Sequence, residues 1–201
     1  LRLDGTIESW GGNIEPCEHT GAPTEAGHTA IAAGYPNLAI RADGSIAAWG
    51  CGQFPAPPSD HAFTDVATST DFAAYGLALR TDGSVEAWGD DTWGQVSNAP
   101  TATGYVAIAA GYGYGIALRE GGSIDAWGYD GQSSSSQSSG PTAPPGSDFI
   151  AIETDGQRGE SLSGHDLADG AHLLALRRDE TPLTFQYSPE AGMMIGSPVN
   201  D

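Results

Sequence analysis

A chain of 201 residues sets 26 acids against seven basic residues, for a net charge of −19, and holds 29 glycines. Nucleic acid is a poor partner for that balance, because phosphates need clustered lysine and arginine, and no run approaches the roughly 18 apolar residues of a membrane helix. Glycine at about twice ordinary usage, with no collagen period, points to short strands joined by tight turns.

Taken in chain order, the elements repeat. Trp-Gly recurs at Trp10, Trp49, Trp88 and Trp127, a spacing of 39 residues held three times. Asp4-Gly5, Asp43-Gly44, Asp82-Gly83 and Gly121-Gly122 precede it in step, as do Arg2, Arg41, Arg80 and Arg119. First strands are expected near 29–33, 64–68, 105–110 and 148–152. Hairpins are expected over 1–10, 38–49, 77–88 and 116–127, and in degenerate form over 173–187. Strand-rich units of this length with no helical period indicate an all-β chain, a β-propeller of about five blade units. The units fall near 1–28, 29–63, 64–104, 105–147 and 148–188, the first lacking its opening strand, with a tail over 189–201. A Ser/Pro-rich insertion (133–147) and an acidic, Gly-rich one (154–171) read as surface loops, and the second lacks calcium-loop spacing. Starting at Leu1 with no signal-like segment, the chain reads as a processed form or a portion of something longer.

The Asp-Gly and Gly-Gly dipeptides suit two-residue type I′ turns. That register sets Leu77 opposite Trp88 and puts Leu77, Leu79, Glu86 and Trp88 on one face. Ala78, Arg80, Val85 and Ala87 take the other. Bulky faces stacked on small ones make Trp10, Trp49, Trp88 and Trp127 wedges between blades. The arginine row is then expected to form ion pairs between blades with Glu8, Glu86 and Asp125.

The segments VAIAAGYGYGIALREGGSIDAWGYDGQ and GLALRTDGSVEAWGDDTWGQ resemble the repeat of the regulator of chromosome condensation family. The nearer form is its short prokaryotic version, typified by β-lactamase inhibitor protein II. The resemblance covers about residues 1–187 and implies a propeller used for binding. Gly-Gln after Trp-Gly persists as Gly52-Gln53, Gly94-Gln95 and Gly131-Gln132, which look like loop closers, whereas Asn37, Gly76 and Gly115 stand near the family's histidine slot. The acidic, lysine-free composition resembles proteins of extreme halophiles, salt-loving archaea and their viruses in particular. Molar salt cuts the screening length to about 3 Å and relieves the self-repulsion of such a chain.

Turns alternate between the two ends of an antiparallel blade, so the loops opposite the Asp-Gly turns gather at one end. One loop set brings Tyr35, Phe72, Tyr75, Tyr112 and Tyr114. The other brings Phe54, Trp93 and Tyr129 with Asp90, Asp91 and Asp130. Aromatic rings with an acidic rim are the makeup of a protein-binding patch. His19, His28, His61, His165 and His172 share no repeat position, and no nucleophile motif is present. The inner strands carry mainly Ala, Ile and Val, with Asp65 and Glu153 the only acids near them. The expectation is a non-catalytic chain without cofactor or metal that binds another protein, a second copy of itself or a virion component. It would act in a secreted, cell-surface or virion-surface adhesion or scaffold assembly, and a Cys17–Cys51 disulfide would suit that location. The alternative, implied by the family's eukaryotic members, is an intracellular regulator of a small GTPase.

Overall fold

The computed structural model describes residues 1–10, 21–50, 54–69, 74–129, 141–154, 172–178, 182–188 and 193–198. The repeated turn sets its architecture. The Arg80 N–H donates to the Ser84 carbonyl at 2.9 Å and the Gly83 N–H to the Arg80 carbonyl at 2.9 Å. Those two bonds define a three-residue loop, a type I turn closed by a left-handed residue, and Gly83 supplies the required φ of +76°. Asp82 Oδ1 braces it by accepting from the Ser84 amide at 2.9 Å and the Ser84 hydroxyl at 2.6 Å. The same bonds recur at Asp43 with Ser45 and at Asp4 with Thr6.

Four antiparallel sheets follow. The first is β1 (Ala30–Ala32), β2 (Asn37–Ile40) and β3 (Ile46–Trp49); the second is β4 (Phe63–Thr68), β5 (Tyr75–Arg80) and β6 (Val85–Gly89). The third is β7 (Tyr105–Ala110), β8 (Tyr114–Arg119) and β9 (Ile124–Gly128). The last has four strands, β10 (Phe149–Thr154), β11 (His172–Arg177), β12 (Pro182–Ser188) and β13 (Met193–Pro198). Residues 193–198, read as tail from sequence, thus pair with β12. Residues 1–8 form the repeated turn, with no strand assigned.

The three-residue loop moves the register by one from the expected one. Trp88 stands opposite Gly76, Glu86 opposite Ala78 and Val85 opposite Leu79. A one-residue shift exchanges faces. Leu77, Leu79, Val85 and Ala87 therefore share one face, and Gly76, Ala78, Arg80, Glu86 and Trp88 the other. Bulky still meets small between sheets. Tyr75, Leu77 and Leu79 pack on Ala117 and Trp127 of the third sheet, and Leu38, Ile40 and Ile46 on Ala78 and Trp88 of the second.

Arg2, Arg80 and Arg119 pair with Glu8, Glu86 and Asp125 inside their own blade, not between blades as expected, Arg80 with Glu86 at 2.7 Å and Arg119 with Asp125 at 2.6 Å. The contacts that cross between units go to other acids, Arg41 to Glu25 at 3.2 Å and Arg80 to Asp60, each just ahead of the first strand of the arginine's blade. Register explains it, because arginine and acid now lie on one face. Blades are stapled by backbone instead. Each turn glycine offers its carbonyl at or just before the first strand of the next blade, Gly5 to the His28 amide at 3.0 Å, Gly44 to Phe63 at 3.2 Å, Gly83 to Tyr105 at 3.0 Å and Gly122 to Phe149 at 3.1 Å.

Trp49 and Trp127 are buried and Trp88 half-buried, but Trp10 is 82% exposed and is no wedge. The mates of Trp49, Trp88 and Trp127, the residues opposite them on the second strand, lie in the described sheets. No strand pairs with the Trp10 segment among the described residues. At the other end Leu174 is 44% exposed, although Leu38, Leu77 and Ile116, its equivalents in the repeat, are fully buried.

Candidate functional site

The loops opposite the turns do gather. The Tyr35 N–H donates to the Ser69 carbonyl at 2.7 Å, tying the β1–β2 loop to the end of β4. The Asp90 N–H donates to Ala74 at 3.0 Å and the Tyr129 N–H to Gly113 at 2.8 Å, joining the two loop sets within each blade.

At the junction of the second and third blades three of the expected rings meet. Trp93, from the loop after β6, lies 5.1 Å from Tyr112 and 5.3 Å from Tyr129, centroid to centroid, tilted 45° to both. Tyr112 meets Tyr129 edge-on at 6.1 Å. All three are half-buried. Gly113 is what lets Trp93 lie so close, since a Cβ there would stand 2.6 Å from Trp93 Cε3.

Trp93 is held from below by a residue that sequence reasoning treated only as a loop closer. Gln95 is fully buried. Its Oε1 accepts from the Trp93 amide at 2.9 Å, its Nε2 donates to Asp90 Oδ1 at 2.7 Å, and its carbonyl accepts from Trp127 Nε1 at 2.9 Å. The last bond crosses from one blade to the next. Asp90 also accepts from Thr92. Exposed Asp91 takes the Val96 and Ser97 amides on one oxygen at 2.9 Å each. Partial burial pushes the Asp91 carboxyl up, but those amides outweigh it and hold the group below the usual range. Both acids brace the loop, and Asp91, two residues ahead of Trp93, stays exposed.

Tyr75 and Tyr114 do not belong to this surface. Each opens the second strand of its blade and is 1% exposed. The Tyr75 hydroxyl donates to the Gly111 carbonyl at 2.9 Å, in the next blade, and burial pushes it well above the ordinary tyrosine range. Sequence reasoning ended the loop two residues late, because a run of Gly and Tyr carries no marker of where the strand begins. Tyr35 lies apart from the Trp93 cluster and lines a concavity of about 490 Å³ with Ile7, Trp10, Ile31 and Trp49. Phe54 is half-buried. Phe72, Asp130, Cys17 and Cys51 lie outside the described residues.

A second concavity, of about 420 Å³, runs between the first strands of the four sheets, lined by Ile31, Val66, Ile108 and Thr154 with Asp65 and Glu153. Burial, and then the charge of Glu153, raise the Asp65 carboxyl above its ordinary value. Among the described residues no three His, Cys, Asp or Glu side chains are grouped to hold a metal, and no helix is long and apolar enough to cross a membrane.

Sheets whose first strands line a shared channel, each linked through its turn to the next, define a β-propeller. Neither a family model nor a curated protein matches this sequence. Among solved structures, the ectodomain of the Physcomitrella patens receptor kinase CR4 is similar with a TM-score of 0.61 at 16% identity, over 86% of this chain and 45% of that one. Human WBSCR16 gives 0.60 at 15% identity over 90% and 55%. Prp20p of Saccharomyces cerevisiae gives 0.54 at 15% over 83% and 50%. The chain therefore spans about half the length of these proteins. At such identities the likeness establishes the fold alone.

Proposed function

We propose that this chain is a non-catalytic protein-binding module that presents its loop end to a partner, in an extracellular, cell-surface or virion-surface assembly at high salt. The observation that carries this is the cluster of Trp93, Tyr112 and Tyr129, in which loops of two adjacent blades pack aromatic rings against one another at the surface. Half-buried rings held by their neighbours lose little freedom on binding, which is part of the physical basis of an interface hot spot. A buried network fixes the loop beneath them, so the surface is organised before the partner arrives. The fold itself serves protein recognition elsewhere, since Prp20p is known with its binding to Gsp1p and histones and yeast RCC1 with Kap60 bound. The acidic, lysine-free composition supports the high-salt setting.

The test is affinity capture at molar salt with the wild-type chain and with Trp93→Ala. A defined partner held by the first and lost by the second is the expected result. Identical recoveries would place recognition elsewhere, and a small GTPase as that partner would favour the intracellular regulatory role.

A further inference from the structure

We propose that the aromatic cluster of the loop end receives an arginine side chain of the partner, stacked on Trp93 and Tyr129 and paired to the Asp91 carboxylate. The proposal rests on the protein-binding reading and names the chemistry of what is bound.

The chain itself shows how guanidinium groups are held on this scaffold. Arg80 sits 4.6 Å over the Phe63 ring while pairing with Glu86, and Arg119 sits 4.5 Å over Tyr105 while pairing with Asp125. Arg177 sits 5.0 Å over Phe149, with Asp148 at 3.6 Å. Ring below and carboxylate beside is thus the arrangement in three successive blades.

Charge is divided between the two ends. Every arginine among the described residues (Arg2, Arg41, Arg80, Arg119, Arg177 and Arg178) stands at the turn end, beside the Asp-Gly turns or their counterpart after β11. The opposite end, among the described residues, has the Trp93 cluster and Asp90 and Asp91 but no basic side chain. It carries rings and an exposed carboxylate in one loop, Asp91 two residues ahead of Trp93, and among the described residues no guanidinium to join them.

Arginine fits better than lysine. A guanidinium is planar and weakly hydrated, so it stacks on a ring at little desolvation cost, whereas an ammonium stays strongly hydrated. At molar salt the Debye length is about 3 Å, so a bare ion pair to Asp91 is largely screened while ring contact survives. The selectivity for arginine should therefore grow as salt rises.

Fluorescence anisotropy of labelled hexa-arginine and hexalysine, at about 0.2 M and about 2 M NaCl, provides the test. Expected is about tenfold tighter binding of hexa-arginine at the higher salt, lost in Trp93→Ala. Asp91→Asn keeps an oxygen for the Val96 and Ser97 amides, so its loop stays built. It should weaken hexa-arginine several-fold at the lower salt and little at the higher. Equal binding of both peptides at about 2 M NaCl, or binding indifferent to Trp93→Ala with Asp91→Asn also silent, overturns the proposal. The two readings fail separately. A captured partner that depends on Trp93 but crosslinks to the cluster through a segment without arginine overturns this inference and leaves protein binding standing. A capture that ignores Trp93 overturns the reading beneath it.

Discussion

Trp127 lies against the backbone of Gly115, the residue directly opposite it on β8, so that a Cβ on Gly115 would stand 2.3 Å from Trp127 Cζ2. Trp88 and Gly76 repeat the relationship one blade earlier, at 2.4 Å. A glycine on the second strand is what allows the indole to lie flat on its own sheet and face the leucines of the previous blade. Gly115→Ala is expected to destabilise the fold by about 1–3 kcal/mol, the usual penalty of overpacking a core. Denaturant unfolding at molar salt measures it. Trp127→Phe should make the added methyl cheaper, so the double mutant should lose less than the sum of the two singles. Strict additivity would mean that ring and glycine do not touch.

The period of the propeller was open to view in the sequence, but one feature of the repeated turn decided what the period meant. Asp82-Gly83 suggests a two-residue turn, whereas the run Arg80, Thr81, Asp82, Gly83, Ser84 closes as a three-residue loop because Ser84 returns two bonds to Asp82. Ser45 and Thr6 sit at the same offset from Asp43 and Asp4, so the signal was there in the spacing of the hydroxyl. That single residue moved Glu86 onto the face of Arg80 and turned an expected bond between blades into one within a blade. The site was partly legible for a related reason. Trp93, Tyr112 and Tyr129 follow from which end their loops occupy, a matter of topology alone. Tyr75 and Tyr114 needed the strand boundary, and Gln95 needed the partners that only three dimensions supply.

Tyr105 gives the protein a measurable alkaline response. Burial first, and the bond from its hydroxyl to Asp125 second, push its pKa from 10 to about 12. The neutral phenol therefore stabilises the fold, fully so below pH 10, and that stabilisation disappears as pH climbs through about 12. The chain has no lysine to titrate in the same window. Tyr105→Phe keeps a ring beneath Arg119 and removes the ionising group. Its stability should fall less steeply between pH 10 and pH 12 than that of the wild type, as followed by denaturant unfolding. Parallel profiles would show that Tyr105 ionises as freely folded as unfolded.

Asp65 works in the opposite sense. Its raised pKa, caused by burial and then by the charge of Glu153 across the channel, means that the ionised form is costly at neutral pH. The group favours folding below the ordinary carboxyl range, and that benefit is lost as pH rises through the raised value. Asp65→Asn leaves Oδ1 to accept from the Val66 amide, a bond of 2.9 Å in the wild type. The variant should melt at a higher temperature at neutral pH, and the advantage should vanish once the pH is low enough to protonate the carboxyl. A variant that melts lower at neutral pH would mean that Asp65 is held as a carboxylate for some purpose in the channel.

A net charge of −19 on 201 residues makes salt part of the fold. Most acids among the described residues are exposed, and over the whole sequence 26 acids face seven arginines and no lysine. Dilution lengthens the reach of their repulsion from about 3 Å at 1 M to about 10 Å at 0.1 M. Circular dichroism should show the strands melting as salt falls below roughly 0.5 M. Unchanged spectra in dilute buffer would separate this composition from a high-salt habit.

Leu77 and Leu174 occupy equivalent places in the repeat and have different surroundings. Leu77 is fully buried between the second and third sheets, and Leu174 is 44% exposed on the outer face of the last. Truncating a buried leucine removes its transfer free energy and leaves a cavity, so Leu77→Ala should cost about 3 kcal/mol. Leu174→Ala leaves no enclosed space and should cost less than about 1 kcal/mol in the isolated chain. Unfolding midpoints of the two variants at molar salt give the comparison directly. Similar losses would require a surface to cover Leu174 in solution, and a dependence of the Leu174→Ala midpoint on protein concentration would identify that surface as another copy of the chain.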